Sequence, residues 1–154
     1  MKEQRRGKKI AMSPEEVDAF LGATRTCHAA SVLADGAPHV SPLWFVWDGQ
    51  ALWLNSVVKS QRWVNLMRDP RIAVVIDGGE GFFDLHGVEI HGRVEPVGDV
   101  PRSSTPLAEV ADAERRWGGK YMGGRDFVAD GGHAWLRLVP EKIVSWDFRK
   151  MAPR

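Results

Sequence analysis

The chain has one cysteine, Cys27, in 154 residues, so an intramolecular disulfide is excluded. A lone thiol in an alternating segment reads as a small buried hydrophobe, and no neighbouring motif marks it as a nucleophile. No stretch approaches the roughly 18 consecutive apolar residues of a membrane helix. The amino terminus carries charge with no apolar run behind it, which is not the pattern of a secretory signal. Net charge is only +1, so no overall field favours DNA, RNA or an anionic membrane. These absences together give a cytoplasmic expectation.

Chemical motifs are equally sparse. The five histidines, His28, His39, His86, His91 and His133, show no H-x-x-x-H spacing, and no C-x-x-C exists. His86 and His91 share an expected strand but face opposite sides of it in regular geometry, which argues against a protein-built metal site. There is no G-x-S-x-G elbow, no G-x-G-x-x-G and no Walker loop, so covalent catalysis and a glycine-rich phosphate loop are not expected.

What is present is an ordinary globular composition, 44% hydrophobic and 27% charged, in a length that suits one domain. Seven tryptophans are many for this length, and large rings fill cores, ligand walls and subunit interfaces. Residues 1–10 hold five Lys/Arg against one Glu, so 1–12 reads as a flexible basic tail and 13–154 as the domain.

Ser13-Pro14-Glu15-Glu16 supplies a hydroxyl cap, a proline at the first helical position and a glutamate at the third, which opens a helix ending near Gly22. Strands are expected over 26–33, 39–46 and 51–56, joined by the turns at Asp35-Gly36 and Asp48-Gly49. A short helix over 61–67 stops at Asp69-Pro70, because proline disfavours helix in the residue before it. The β-branched run 71–77 reads as a buried central strand, and 82–97 as a long strand with Gly87 and Gly92 as bends or bulges. A loop over 101–105, a helix over 107–117 stopped by Gly118-Gly119, and closing strands over 133–139 and 142–146 separated by Pro140 complete the chain. Six or seven antiparallel strands with a few short helices predict a mainly β (α+β) barrel, which also removes exposed strand edges.

One stretch concentrates polar groups where a strand gives way to a helix. Asn55 and Ser56 end the strand, and Lys59, Ser60 and Arg62 crowd the first turn that follows. Unpaired N–H groups at a helix start favour a phosphate, arginine offers a planar fork and lysine a point charge. The same pattern also describes a solvated turn in which Ser60 merely caps the helix. Trp44, Trp53 and Trp63 lie close enough in the expected meander to flank a planar ring.

Three segments carry a resemblance that spans 13–146. They are ADGAPHVSPLWFVWDGQALWLNS, then KSQRWVNLMRDPRIAVVID, then GVEIHGRVEPV. In that order they resemble the flavin-binding split β-barrel superfamily, the pyridoxamine 5′-phosphate oxidase-like proteins. PLWFVWDG and NLMRDPR look most like the branch that uses a deazaflavin coenzyme (F-420 type) in place of FMN. The resemblance implies an antiparallel split barrel that forms a homodimer, with cofactor sites at the subunit interface. The ring is expected along the second strand, at Ser41, Leu43 and Trp44. The phosphate is expected at Asn55, Ser56, Lys59, Ser60 and Arg62, and Trp63 stands where relatives carry a small residue. The implied function is an oxidoreductase moving hydride between the deazaflavin and a small organic substrate. FMN is the alternative cofactor, and a non-catalytic carrier of cofactor or haem the alternative of another class. The shared pattern does not include the insert 101–130, so Lys120, Tyr121 and Arg125 take no role from it.

Overall fold

The computed structural model describes residues 1–153; Arg154 lies outside the described residues. Among them six strands close an antiparallel barrel: β1 (Thr26–Val32), β2 (Pro38–Trp47), β3 (Leu52–Val57), β4 (Arg71–Gly78), β5 (His86–Val97) and β6 (His133–Asp147). Their order around the wall is β1-β2-β3-β6-β5-β4, closed by pairing of β1 with β4. Three helices accompany them, α1 (Pro14–Ala23), α2 (Gln61–Arg68) and α3 (Ala108–Tyr121).

Strict alternation sorts each strand into an inner and an outer face. Phe45, Leu52, Leu54, Ile76, Ile90, Leu136 and Leu138 point inward and are essentially inaccessible, with Val17 and Leu21 of α1 and Trp63 and Leu66 of α2 closing the ends. Each such side chain contributes about 1.5–3 kcal/mol when fully buried. Cys27 belongs to this core, and burial pushes its thiol up to about 12, which makes it the inert hydrophobe expected. Outward-facing Val46, Trp53, Val97 and Trp135 form a second apolar cluster under α3, with Val110 and Ala113 of the helix packed on it.

One seam of the wall is only half sewn. β2 pairs with β3 over Phe45–Trp47 and Leu52–Leu54 alone. Before Phe45, β2 follows β1, whereas beyond Leu54, β3 follows β6, as in the pairs Asn55↔Trp135 and Val57↔His133. The two strands therefore diverge and leave a split in the barrel.

Three expectations are corrected. Pro140 does not divide two closing strands, because β6 runs through it opposite Gly92, beside a register shift that leaves Glu141 of β6 without a partner on β5. Proline's missing donor is tolerated at such an irregularity, and a side chain on Gly92 would meet the Val139 carbonyl at 2.3 Å. The long strand expected over 82–97 begins only at His86, after a 3-10 turn over Phe82–Asp84. α3 runs past Gly118-Gly119 to Tyr121, because Gly118 lacks the side chain that would block the Arg125 carbonyl packed on it. The basic segment 1–12 lies along β6. Lys2 N donates to Glu141 O at 2.7 Å, the Gln4 carboxamide exchanges two 3.0 Å bonds with the Ser145 backbone, and Met12 N donates to Ser145 Oγ at 2.9 Å. β3 covers β6 only as far as Leu138, so the segment satisfies backbone groups that would otherwise form a free edge.

Candidate functional site

The split is where the polar stretch of the sequence converges. Ser60 caps α2, accepting from Trp63 N at 3.1 Å while donating to Val57 O at 2.7 Å. That cap sets the rotation of a helix whose Arg62, Trp63, Asn65 and Leu66 face inward. Trp63 and Leu66 enter the core, and Arg62 is directed at the diverging strands. Its Nε donates to Ser56 Oγ on β3 at 3.1 Å and its Nη1 to Ser41 Oγ on β2 at 2.6 Å, so one guanidinium bridges the split.

Arg62 is only 7% exposed and has no carboxylate partner among the described residues. Burial lowers its pKa, yet a guanidinium remains charged throughout the ordinary pH range. A buried cation solvated by two neutral hydroxyls is electrostatically incomplete, and an anion completes it at little further desolvation cost.

Above Arg62 opens a cleft of about 480 Å³. Pro42, Leu43 and Trp44 of β2 form one side, and Asn55 and Val57 of β3 the other. The Asn55 side-chain oxygen is buried with no hydrogen-bond partner. A buried acceptor left unpaired costs about 1–3 kcal/mol, so this amide is positioned for a donor that a ligand would bring.

α3 and the chain after it supply the far wall. Trp117, Met122 and Phe127 line the cleft, and Trp44 lies flat on Tyr121 with centroids 4.3 Å apart and planes 5° from parallel. The stack is anchored from below, since the Tyr121 hydroxyl lies between Phe45 O (2.8 Å) and Arg25 O (2.6 Å), which share its one proton, and accepts from Phe45 N (3.1 Å). Trp117 leans on both rings and meets Trp135 edge-on at 5.5 Å. The result is a rigid apolar wall facing a polar floor, the usual make-up of a pocket for a planar ligand.

At the rim stands a second buried arginine of different character. Arg102 is 3% exposed, and it donates to Glu114 at 2.7 Å and to Asp99 at 3.0 Å. Glu114 also accepts from Trp135 Nε1 at 3.2 Å, so this network ties the 99–102 loop to α3 and β6. Next to it Asp130 and His133 close the turn into β6, with His133 Nδ1 2.6 Å from Asp130 Oδ2.

Of the residues singled out in the sequence, Leu43, Trp44, Asn55 and Arg62 line the cleft, while Ser41 and Ser56 hold Arg62 from the two strands. Ser60 is committed to its helix cap, and Lys59 is exposed and does not line the cleft. Trp63 does not flank the cleft; it is a core residue, 7% exposed, because the cap turns it inward. Trp53 likewise lies elsewhere, on the outer face with its Nε1 donating to Asp48 at 2.8 Å. The sequence reading missed Trp117, Met122, Phe127 and His133. The aromatic content of the insert and the Asp130-Gly-Gly-His133 turn were the only local signals for them.

No curated protein is detectably similar to the chain. Among solved structures, a conserved hypothetical protein, Rv2991, from Mycobacterium tuberculosis is 29% identical, with 99% of this chain and 95% of that one covered at a TM-score of 0.80. An F420 reductase is 24% identical over 82% of this chain and 94% of its own, at a TM-score of 0.60. HutZ, the heme storage protein from Vibrio cholerae, is 18% identical over 90% and 98%, at 0.69. The last two likenesses concern the fold alone. The family profile for pyridoxamine 5′-phosphate oxidase matches residues 13–147, which span all six strands and three helices. With its half-sewn seam and the cleft that opens there, the chain belongs to the pyridoxamine 5′-phosphate oxidase family of split β-barrel proteins.

Proposed function

We propose that the chain is a deazaflavin-dependent oxidoreductase that binds its coenzyme in the split and transfers hydride between it and a small organic substrate. The observation that carries this reading is Arg62, a buried guanidinium bridged to Ser41 and Ser56 with no acid beside it, at the floor of an aromatic cleft. Such a group fits the phosphate of a planar cofactor. The orphaned Asn55 oxygen fits a donor on the ring or its side chain. Leu43 and the Trp44–Tyr121 stack fit the flat face, and the ground for preferring a deazaflavin is the resemblance of PLWFVWDG and NLMRDPR to the deazaflavin-using branch. The bound coenzyme supplies the hydride chemistry, and the protein supplies binding, orientation and exclusion of water. FMN suits the same floor and wall and is the alternative cofactor.

The coenzyme site is proposed to lie at the interface of a homodimer. Val57 and Val128 at the cleft, Val64 and Met67 on α2 and Val40 on β2 are large exposed hydrophobics that a second subunit would cover. Sedimentation equilibrium should return twice the mass of the chain. A carrier role without turnover is the second reading, because the same floor and wall would hold a cofactor that is stored and not turned over.

Titration of tryptophan fluorescence with the deazaflavin and with FMN tests the cofactor. Quenching at micromolar deazaflavin is expected, and tight FMN binding with indifference to deazaflavin would overturn the preferred reading. Reoxidation of the reduced complex by enones or quinones separates an enzyme from a carrier. No helix among the described residues is long and apolar enough to cross a membrane.

A further inference from the structure

Four ionisable side chains line the cleft: Arg62, Arg102, Asp130 and His133. The two arginines do not release protons under ordinary conditions. Asp130 is occupied on both oxygens. Its Oδ1 accepts from Gly132 N at 2.9 Å and from His133 N at 3.1 Å, and its Oδ2 faces His133 Nδ1. These bonds, led by the one from Gly132, keep its pKa below the usual carboxylate range, so it stays an anion and an acceptor. The remaining group is an imidazole, the side chain suited to proton exchange near neutrality.

Geometry gives that imidazole a definite role. With Nδ1–H donated to Asp130, the free nitrogen is Nε2, which makes no hydrogen bond among the described residues. An acid that fixes one nitrogen so that the other can act on a substrate is the orienting logic of hydrolase triads. His133 pairs directly with Val57 across β3 and β6, and Asn55 is two residues along the same face. The imidazole therefore stands on the same wall as the unpartnered Asn55 amide. Its backbone is pinned as well, since His133 O accepts from Arg102 N at 2.8 Å.

We propose that His133, oriented by Asp130, is the proton donor of this cleft, and that the substrates are acceptors whose reduction takes a proton along with hydride, such as enones, quinones or imines. The inference rests on the reductase reading above. In the step, the acceptor's double bond gains two electrons and two hydrogens. One hydrogen and both electrons are those of the hydride supplied by the reduced deazaflavin or flavin. The other hydrogen leaves His133 Nε2 as a proton for the atom on which the electron pair settles. The π bond breaks, one bond forms to the hydride's hydrogen (C–H in an enone or imine, O–H in a quinone) and one X–H bond to the proton, and the imidazole is left neutral. Its side chain is 33% exposed, so it recovers a proton from water.

Two variants and two readouts test this. In single-turnover reduction the wild-type rate should fall with rising pH, and His133→Gln should lose that fall and be about 100-fold slower. Cofactor affinity in His133→Gln should stay close to wild type, because Arg62 and Asn55 remain. Independently of turnover, ring-labelled histidine followed by NMR should show the His133 signals moving when cofactor binds. In Asp130→Asn the His133 ring signals should shift even without cofactor, because Nδ1 loses its carboxylate partner. A His133→Gln enzyme with wild-type rate and pH profile would overturn the donor role and leave the reductase reading standing. His133 signals indifferent both to cofactor and to Asp130→Asn would overturn it too. A wild-type protein that binds cofactor and never reduces an acceptor takes down both readings.

Discussion

Two buried arginines lie on the same cleft and differ in everything except burial. Arg102, at the rim, sits between Glu114 and Asp99, and its carboxylate partners raise its pKa, with Glu114 the larger influence. Arg62, at the floor, has only the hydroxyls of Ser41 and Ser56, and burial lowers its pKa. Charge balance is internal in the first case and missing in the second. A neutralised arginine holds structure together, whereas one left with dipoles alone holds a place for an anion.

Removing each cation should therefore break a different property. The largest effect is expected at Arg102→Met, which leaves the 18%-exposed Glu114 carboxylate without its cation and unties the 99–102 loop from α3. A loss of about 3 kcal/mol in urea denaturation is expected. Cofactor affinity of the folded fraction should be nearly unchanged, and a variant of full stability would show that Glu114 and Asp99 are satisfied without Arg102.

Arg62→Met should do the reverse. The cofactor's phosphate loses a charge-assisted partner, and affinity should fall by about 2 kcal/mol, roughly 30-fold. Stability should hold or rise, because an unbalanced buried charge is replaced by an apolar chain of similar length. Unaltered affinity for every phosphate-bearing cofactor would remove Arg62 from the site and erase the contrast with Arg102.

That contrast was only half visible in the chain. Arg62 stood out because hydroxyls and cations crowd one strand-to-helix change, and the split-barrel order of elements gave the change a purpose. Lys59 and Ser60 looked equivalent to Arg62 because sequence does not reveal how a cap rotates a helix. The Ser60 cap directs Arg62 inward, uses its own hydroxyl, and leaves Lys59 in solvent. The same rotation turns Trp63 into the core. Arg102, Trp117 and His133 were hidden by distance, since 40 or more residues separate them from Arg62 and only the closure of β6 on β3 brings them back. The strands themselves were legible because inward and outward residues alternate so regularly. Pro140 misled because tolerance of a proline depends on where the ladder between two strands slips, here at the extra residue Glu141 beside it.

Asn55 offers a smaller test of the floor. Its unpartnered oxygen should gain a donor only when ligand binds, so Asn55→Ala is expected to weaken cofactor binding by about 1 kcal/mol. In the free protein the same change should be neutral or mildly stabilising, since it deletes an unsatisfied buried acceptor. Destabilisation by Asn55→Ala would show instead that the amide is paired within the barrel.

A third, half-buried cation tests whether the distinction between balanced and unbalanced charges is general. Lys120 reaches from α3 across the barrel end, donating to Leu21 O at 3.0 Å and Phe45 O at 3.2 Å, with its ammonium 3.8 Å from the centre of the Phe45 ring. It has carbonyls and a π face but no acid, and burial pushes its pKa from 10.5 down to about 8. The folded protein thus releases this proton at lower pH than the unfolded chain does. Between those two values the unfolded chain binds more protons, so stability rises with pH through this group. Cys27, pushed up from 9 to about 12, and Tyr121, raised from 10, act the other way, because the unfolded chain deprotonates first at both. Their opposing effects begin above 9 and 10, which leaves pH 8 to 9 as the window in which Lys120 acts alone among these three groups. Urea denaturation across that window should show wild-type stability gaining on Lys120→Met as pH rises. Parallel profiles would mean that Lys120 keeps its proton as readily in the fold as in water, and that a carbonyl pair with an aromatic face balances a buried cation as well as the carboxylates around Arg102 do.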